Sequence, residues 1–183
     1  AESTFDDGGI DSLWATTANW SGDVLPTAPD DVRINGFFAV QHDAAVTTSI
    51  NSLSLEDTST LTVTNGTLAL ADVSRTTAGS YLQLNASTIQ TGNLHVDNVL
   101  TIDGGFDWNN GSITGTGELL LNGSANITVG TSSVLDVDLT ILGNADLLGS
   151  AATLNGLGQI KNHGTLNIYD TPTVDLPVHN FGD

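Results

Sequence analysis

The sequence predicts an all-β protein and, within that class, a right-handed parallel β-solenoid with an N-terminal cap. Three observations support this: the residue composition, turn sequences that recur along the chain, and very short stretches of alternating polarity between them. Glu, Lys, Arg, Gln and Met, whose long straight side chains favour helices, total only 10 of the 183 residues. Thr, Val and Ile, which suit strands, and Gly, Asn and Asp, which suit turns, are abundant instead.

Turn sequences that begin with asparagine recur at 18 to 22 residues in four cases: 65 to 85, 122 to 144, 144 to 162 and 162 to 180. The intervals 85 to 110 and 110 to 122 depart from this spacing, so the repeat is degenerate. Asparagine tolerates left-handed backbone, and its amides can stack into ladders at equivalent corners of successive coils. A repeat of this length predicts stacked coils. The turns are Asn65-Gly-Thr-Leu68, Asn85-Ala-Ser-Thr-Ile89, Asn110-Gly-Ser-Ile113, Asn122-Gly-Ser-Ala125, Asn144-Ala-Asp-Leu147, Asn162-His-Gly-Thr-Leu166 and Asn180-Phe-Gly-Asp183.

The stretches between the turns place two apolar side chains on one face with a polar or small one between, as in Leu61-Thr-Val63 and Leu100-Thr-Ile102. Strands this short suit the coils of a solenoid better than the alternative, a β-sandwich or jelly roll whose asparagines form ordinary turns. We expect the inward-facing apolar residues to form the core: Leu53, Leu55, Leu61, Val63, Leu68, Leu70, Leu82, Leu84, Leu100, Ile102, Leu119, Leu121, Leu166 and Ile168.

The first third of the chain differs from the rest. We expect residues 1–45 to form the cap and first coil and residues 46–183 to form further coils that continue beyond the C-terminus. A cap must cover the strand edges and apolar interior of the first coil. Bulky side chains for this cover are Phe5, Trp14, Trp20, Phe37 and Phe38.

Two motifs carry a resemblance to known proteins. The pattern Trp14…Asn19-Trp20…Pro26…Asp30-Asp31-Val32 resembles the segment that opens many bacterial extracellular repeat proteins, in which β-helical coils follow. Trp108-Asn-Asn-Gly-Ser-Ile-Thr-Gly-Thr-Gly117 with Leu119-Leu-Leu121 resembles coils of autotransporter-like and large adhesin-like proteins. The resemblance spans most of the chain and implies a β-solenoid that is secreted or held at the bacterial cell surface. Such families include adhesins, surface-layer components and appendages of polysaccharide-active enzymes.

The function that we expect is a structural or adhesive scaffold module of a surface protein or filament, whose partners are further coils or copies of the same protein. The alternative is a carbohydrate-binding or polysaccharide-processing appendage, with Trp14, Trp20, Trp108 or Tyr81 as a solvent-facing platform for a glycan. We do not expect an enzyme. A polysaccharide lyase would need a cluster of cationic side chains, and Arg33, Arg75 and Lys161 are far apart in the sequence. The histidines show no metal-ligand spacing, although His163 and His179 lie near equivalent corners.

The charge of the chain narrows the possible partners. Twenty-one acidic residues against three Lys and Arg give a formal net charge of −18, which disfavours nucleic acid and anionic membranes. No apolar run is long enough to cross a bilayer. Aspartate-rich loops could instead bind calcium, which prefers oxygen ligands. The candidate metal ligands are Asp6, Asp7, Asp30, Asp31, Asp103 and Asp107.

Overall fold

A computed structural model describes residues 1–85, 90, 92–131, 133–149 and 152–181. The predicted turn residues 86–89 and the last two residues of the turn that begins at Asn180 lie outside these ranges. Besides strands, the described residues contain one 3₁₀ turn, Thr17–Asn19, and among them no helix is long and apolar enough to cross a membrane. The strands are β1 Glu2–Thr4, β2 Asp31–Ile34, β3 Ala39–His42, β4 Thr47–Ile50, β5 Ser52–Leu55, β6 Thr60–Val63, β7 Gly66–Leu70, β8 Ser74–Thr76, β9 Tyr81–Asn85, β10 Gly92–Val96, β11 Val99–Ile102, β12 Gly105–Asn109, β13 Ser112–Thr114, β14 Glu118–Leu121, β15 Ser124–Thr128, β16 Val134–Leu135, β17 Asp138–Ile141, β18 Asn144–Leu148, β19 Thr153–Leu154, β20 Ile160–Asn162, β21 Thr165–Tyr169, β22 Thr173–Val174 and β23 Val178–Asn180.

The strands form three long parallel sheets, and each coil of the chain contributes one strand to each sheet in turn. Sheet I has the order β1-β2-β5-β8-β11-β14-β17-β20-β23, sheet II the order β3-β6-β9-β12-β15-β18-β21, and sheet III the order β4-β7-β10-β13-β16. The pair β19-β22 continues sheet III through a bridge between Val134 and Asn155. About seven coils therefore stack, and the prediction of an all-β parallel solenoid is confirmed. The right-handed sense of the coil and the boundary at residue 45 stay predictions.

From β2 onward, the coil length follows the predicted repeat with one exception. In sheet I the spacing of registered partners lies within the predicted range where Val32 pairs with Leu53 and where Leu119 pairs with Leu139. The exception is the third coil, in which Ser74 pairs with Leu100, so that this coil is longer than its neighbours. The extra residues fall between β9 and β10.

The core consists of inward-facing side chains stacked in rows from coil to coil. In sheet II one row runs through Leu61, Leu82, Phe106, Ala125 and Ala145, all buried. The large Phe106 ring is followed by two small alanines, which is the size compensation that a narrow interior requires. Twelve of the fourteen predicted core residues are buried.

The other two predicted core residues, Leu166 and Ile168, lie in β21, the last strand of sheet II. Leu166 is partly buried and Ile168 is 55% exposed, so the prediction is wrong for Ile168. The alternation itself was interpreted correctly, because Ile168 pairs with the buried Leu147 and faces the same interior. Ile168 is exposed because no described coil covers it.

The predicted asparagine ladder is seen as a hydrogen-bonded pair at the end of sheet I. Asn162 and Asn180 pair in register at the end of sheet I, and Asn162 Nδ2 donates to Asn180 Oδ1 at 2.8 Å. The asparagine turns fall at two different corners, since Asn122 and Asn144 lie where the chain passes from sheet I to sheet II, whereas Asn65 and Asn110 lie where it passes from sheet II to sheet III. The turns look alike in sequence because several corners need the same backbone freedom.

A row of glycines marks the corner between sheets I and II: Gly104, Gly123, Gly143 and Gly164. A Cβ atom built on Gly143 would clash with the carbonyl oxygen of Gly123, and one built on Gly164 would clash with that of Gly143. The backbones of successive coils therefore touch at this corner, which excludes any side chain.

The segment 1–28 covers the beginning of the solenoid. Strand β1 pairs with β2, and a bridge between Leu13 and Gln41 covers β3. Beneath them Phe5, Trp14 and Trp20 are buried in edge-to-face contacts, with ring centroids 5.1 Å apart for Phe5 and Trp20 and 4.7 Å for Trp14 and Trp20. The indole nitrogen of Trp20 donates to the carbonyl oxygen of Trp14 at 2.8 Å.

Phe37 and Phe38 behave differently from the other aromatic rings that we expected to cover the first coil. Phe38 is partly buried and its ring lies 5.3 Å from that of Phe5. Phe37 is 77% exposed, so its predicted role in the cover is wrong. Its φ of 72° is the reason: the left-handed turn at Gly36 and Phe37 directs the side chain into solvent.

Candidate functional site

The three tryptophans do not form a solvent-facing platform. Trp14, Trp20 and Trp108 are each at most 3% exposed, because they face the interior of the solenoid. The rings are therefore not exposed for stacking on a glycan, and a role for them in ligand binding stays a prediction. Tyr81 is partly exposed, but its ring lies over Gly105, where a Cβ would clash with the ring, and its hydroxyl lies 3.1 Å from Asp107 Oδ1.

The six aspartates proposed as calcium ligands are not brought together. Across the described ranges, no three His, Cys, Asp or Glu residues form a group that could hold a metal ion. The carboxylates instead accept hydrogen bonds from nearby groups of the chain: Asp6 from Gly8, Asp7 from Ser12, Asp30 from Thr27, Asp31 from Asn51 and Ser52, Asp103 from Asn122 and Asp107 from Asn126. The geometry gives the calcium prediction no support.

All three Lys and Arg side chains of the chain lie in one outward-facing row of sheet I. The row runs Arg33, Ser54, Arg75, Thr101, Leu120, Thr140, Lys161 and His179. Sequence reasoning treated these cations as isolated, because their alignment depends on the length of every coil between them. His179 is thus beside Lys161, while His163 stacks on Phe181 with ring centroids 4.5 Å apart.

Each cation pairs with a carboxylate of a neighbouring coil. Arg33 lies 2.7 Å from Glu56, and Lys161 lies 2.8 Å from Asp138. The hydrogen bond from Arg33 lowers the pKa of Glu56, and the hydrogen bond from Lys161 lowers the pKa of Asp138.

The third ion pair joins Arg75 to Asp103. Asp103 also accepts a hydrogen bond from Asn122 of the following coil at 2.6 Å, so it links three successive coils. These bonds, first that from Asn122 and then that from Arg75, lower the pKa of Asp103.

A second polar row runs along the outward face of sheet II: Gln41, Thr62, Gln83, Asp107, Asn126, Asp146 and Asn167. Its members bond from coil to coil. Thr62 donates to Gln83 at 3.0 Å, Asn126 donates to Asp107 at 2.8 Å, and Asn167 donates to Asp146 at 2.9 Å. The outward polar side chains of two sheets therefore fasten the coils to one another.

A groove of about 520 Å³ lies over the outward face of sheet III. Its lining includes Ser49, Thr67, His95, Asp97 and Thr114. The imidazole of His95 is held on both sides, with Nε2 at 3.0 Å from Asp97 Oδ1 and Nδ1 at 3.0 Å from Thr114 Oγ1. Both ring nitrogens of His95 are therefore paired with other side chains of the chain.

Sequence reasoning missed this group. His95 and Asp97 lie two positions apart and so share one face at the end of β10, which is a visible signal. Thr114 belongs to the next coil, and its position beside His95 follows only from the register of β10 and β13.

A second groove of about 430 Å³ adjoins the first and lies between β4 and the segment that precedes β2. Trp14, Leu25, Pro26, Ala44 and Val46 are among the residues that line it. Ala28, Thr47 and Ser49 line both grooves. A continuous depression therefore runs from the cap onto sheet III.

The last coil exposes Ile168 and Val178, whose equivalents in earlier coils are buried. Ile168 is 55% exposed, whereas Leu147 and Ile127 of the same row are at most 2% exposed. Tyr169, Val178 and Phe181 are also exposed at this end. We call this surface, formed by Ile168, Tyr169, Val178 and Phe181, the terminal face.

No protein-family model, curated protein or solved structure matches the chain in comparisons.

Proposed function

We propose that this protein is a non-catalytic structural or adhesive scaffold module of a secreted bacterial surface protein, of the autotransporter-like or adhesin-like kind that its motifs resemble. The proposal rests on the positions of the ion pairs that the Lys and Arg side chains form. All three cations and their carboxylate partners join neighbouring coils. The cationic side chains, which an enzyme would direct at a substrate, form ion pairs between coils in this protein.

The proposal extends to how the module is assembled. The terminal face lies at the ends of sheets I and II and leaves the apolar row of sheet II uncovered at Ile168. A further coil of the same solenoid is the occupant that fits, because it would pair with β21 and β23 as each earlier coil pairs with the next. Covering this face would bury the same kind of side chain that each inner coil buries.

A carbohydrate-binding appendage is the second candidate, and one observation favours it. The groove over sheet III is lined by hydroxyl groups and by the ordered His95 and Asp97 side chains. The net charge of −18 would select neutral glycans over uronates or sulphated chains. The buried tryptophans weigh against it, since no indole ring is available for sugar stacking.

A glycan array decides between the two candidates. The scaffold proposal predicts no saturable binding of the intact chain to any single glycan class, and no turnover of a panel of neutral and acidic polysaccharides. The control is His95→Ala, which alters the groove without touching the ion pairs of sheet I. Saturable binding that this substitution abolishes would establish the second candidate and overturn the first.

A further inference from the structure

The three sheets end differently at the cap. Sheet I is closed by β1, and β1 is itself held by hydrogen bonds such as that from Ser21 N–H to the Thr4 carbonyl at 2.9 Å. Sheet II is closed by the segment around Leu13, since the Gln41 N–H donates to the Ser12 carbonyl at 2.9 Å and the Trp14 N–H donates to the Gln41 carbonyl at 2.8 Å. The first strand of sheet III, β4, has no such neighbour among the described residues.

The register of β4 shows which backbone groups are left open. The Thr67 N–H donates to the Val46 carbonyl at 3.0 Å, and the Ala71 N–H donates to the Ile50 carbonyl at 3.2 Å. In a parallel pair every second residue turns its N–H and C=O towards the same neighbour. Thr48 and Ile50 therefore face β7, and the N–H and C=O groups of Thr47 and Ser49 point to the open side.

The segment that faces this edge cannot close it as a strand. It contains Pro26 and Pro29, which have no N–H to donate to a ladder. The N–H and hydroxyl of Thr27, between them, both donate to Asp30 Oδ2 at 2.8 Å. The groove of about 430 Å³ lies between this segment and β4.

We propose that the open edge of β4 binds an extended segment of a partner polypeptide as an added β-strand. Two N–H and C=O pairs, on Thr47 and on Ser49, match the backbone of another strand and no other common ligand. Apolar side chains on the inner face of the added strand would contact Leu25, Pro26 and Val46 in the groove. The partner segment is neutral or basic, because the chain carries a net charge of −18.

The test uses the intact chain and a labelled heptapeptide, acetyl-Lys-Thr-Val-Thr-Val-Thr-Lys-amide. Amide hydrogen exchange followed by NMR should show unprotected Thr47 and Ser49 amides in the free protein, beside protected Thr48 and Ile50 amides. Peptide at about 1 mM half-saturates a site whose Kd is also about 1 mM, the weak end of specific binding, and should therefore slow exchange at Thr47 and Ser49 about twofold or more. Two N-methylated peptides serve as controls, because methylation of the alternate amides that face β4 should abolish the effect and methylation of the others should not.

The matched variant is Ser49→Pro, which removes one open N–H while leaving the β4–β7 ladder intact. It should keep the circular dichroism spectrum and thermal transition of the parent chain and lose peptide binding. If it unfolds, the paired N-methylated peptides on the parent chain still give the answer. Absence of protection at Thr47 and Ser49, or binding that is indifferent to the position of the N-methyl groups, would overturn the proposal.

Discussion

At the scale of single residues, His42 places an ionisable ring in the core beside Trp14. Its Nδ1 lies 3.1 Å from the Asn65 carbonyl oxygen, which can only accept, so Nδ1 carries the proton. Nε2 then accepts a hydrogen bond from the Thr48 hydroxyl at 2.8 Å. The neutral ring is thus fully satisfied, and burial lowers the pKa of His42.

This lowered pKa predicts a pH dependence of stability. The unfolded chain binds a proton at His42 near the ordinary pKa of about 6.5, whereas the folded chain resists it. The stability that depends on a neutral His42 ring is therefore fully present above about pH 6.5. At lower pH the free energy of unfolding falls by up to about 1.4 kcal/mol per pH unit. Urea unfolding between pH 7.5 and 5 should show this loss in the parent chain and a shallower pH profile in His42→Leu. Parallel profiles would contradict the assignment of a buried neutral ring.

Thr76 gives a prediction in which a substitution raises the stability of the protein. Its hydroxyl oxygen is buried in the core and has no hydrogen-bond partner among the described residues. Thr76→Val should therefore raise the free energy of unfolding by about 1 kcal/mol, because the unpaired polar atom is removed at little change of shape. Thr140→Val is the control, since the Thr140 hydroxyl donates to Glu118 at 2.5 Å and its loss should lower stability by about 1 kcal/mol. If urea titrations gave equal changes in the free energy of unfolding for the two substitutions, the presence of a hydrogen-bond partner would not explain their effects.

At the scale of elements, the corner between sheets I and II depends on backbone contact at the glycine row. Gly143→Ala should lower the free energy of unfolding by about 2 kcal/mol or more, because the new Cβ meets a carbonyl oxygen that cannot move without shifting the coil. Gly22→Ala is the matched comparison: Gly22 has a φ of 79° and no atom within 4 Å of its Cβ position. It should cost about 1 kcal/mol through the left-handed backbone alone. A smaller loss for Gly143→Ala than for Gly22→Ala, measured by urea unfolding, would contradict close stacking at this corner.

The strands show why much of the fold could be predicted and much of the site could not. Alternation such as Leu61-Thr-Val63 reports which side chains of one strand face inward, and this is local information. The row that aligns Arg33, Arg75 and Lys161 depends on the length of every coil between them, the long third coil included, which no local pattern records. Trp14 and Trp20 are buried in the cap as expected, and Trp108 faces inward with Phe106 through the alternation of β12.

At the scale of the whole molecule, the two ends differ. The cap buries its aromatic rings and closes two sheets out of three, while the terminal face leaves the strands of the last coil without a further described neighbour and Ile168 exposed. If the solenoid continues as we propose, a further coil pairs in parallel with the terminal face, as the inner coils pair with one another. The charge of −18 keeps the sides of such rods apart in solution.

The most direct measurement is light scattering of the intact chain over a range of concentrations. If the terminal face accepts a further coil, the isolated chain should self-associate there, with an average mass that rises with concentration above the 18.9 kDa of one chain. Ile168→Lys should restore a single chain, whereas Leu157→Lys, at an equally apolar and 92% exposed position in a turn, should not. A parent chain that stays at 18.9 kDa at the highest concentrations, with no difference between the two variants, would contradict the account.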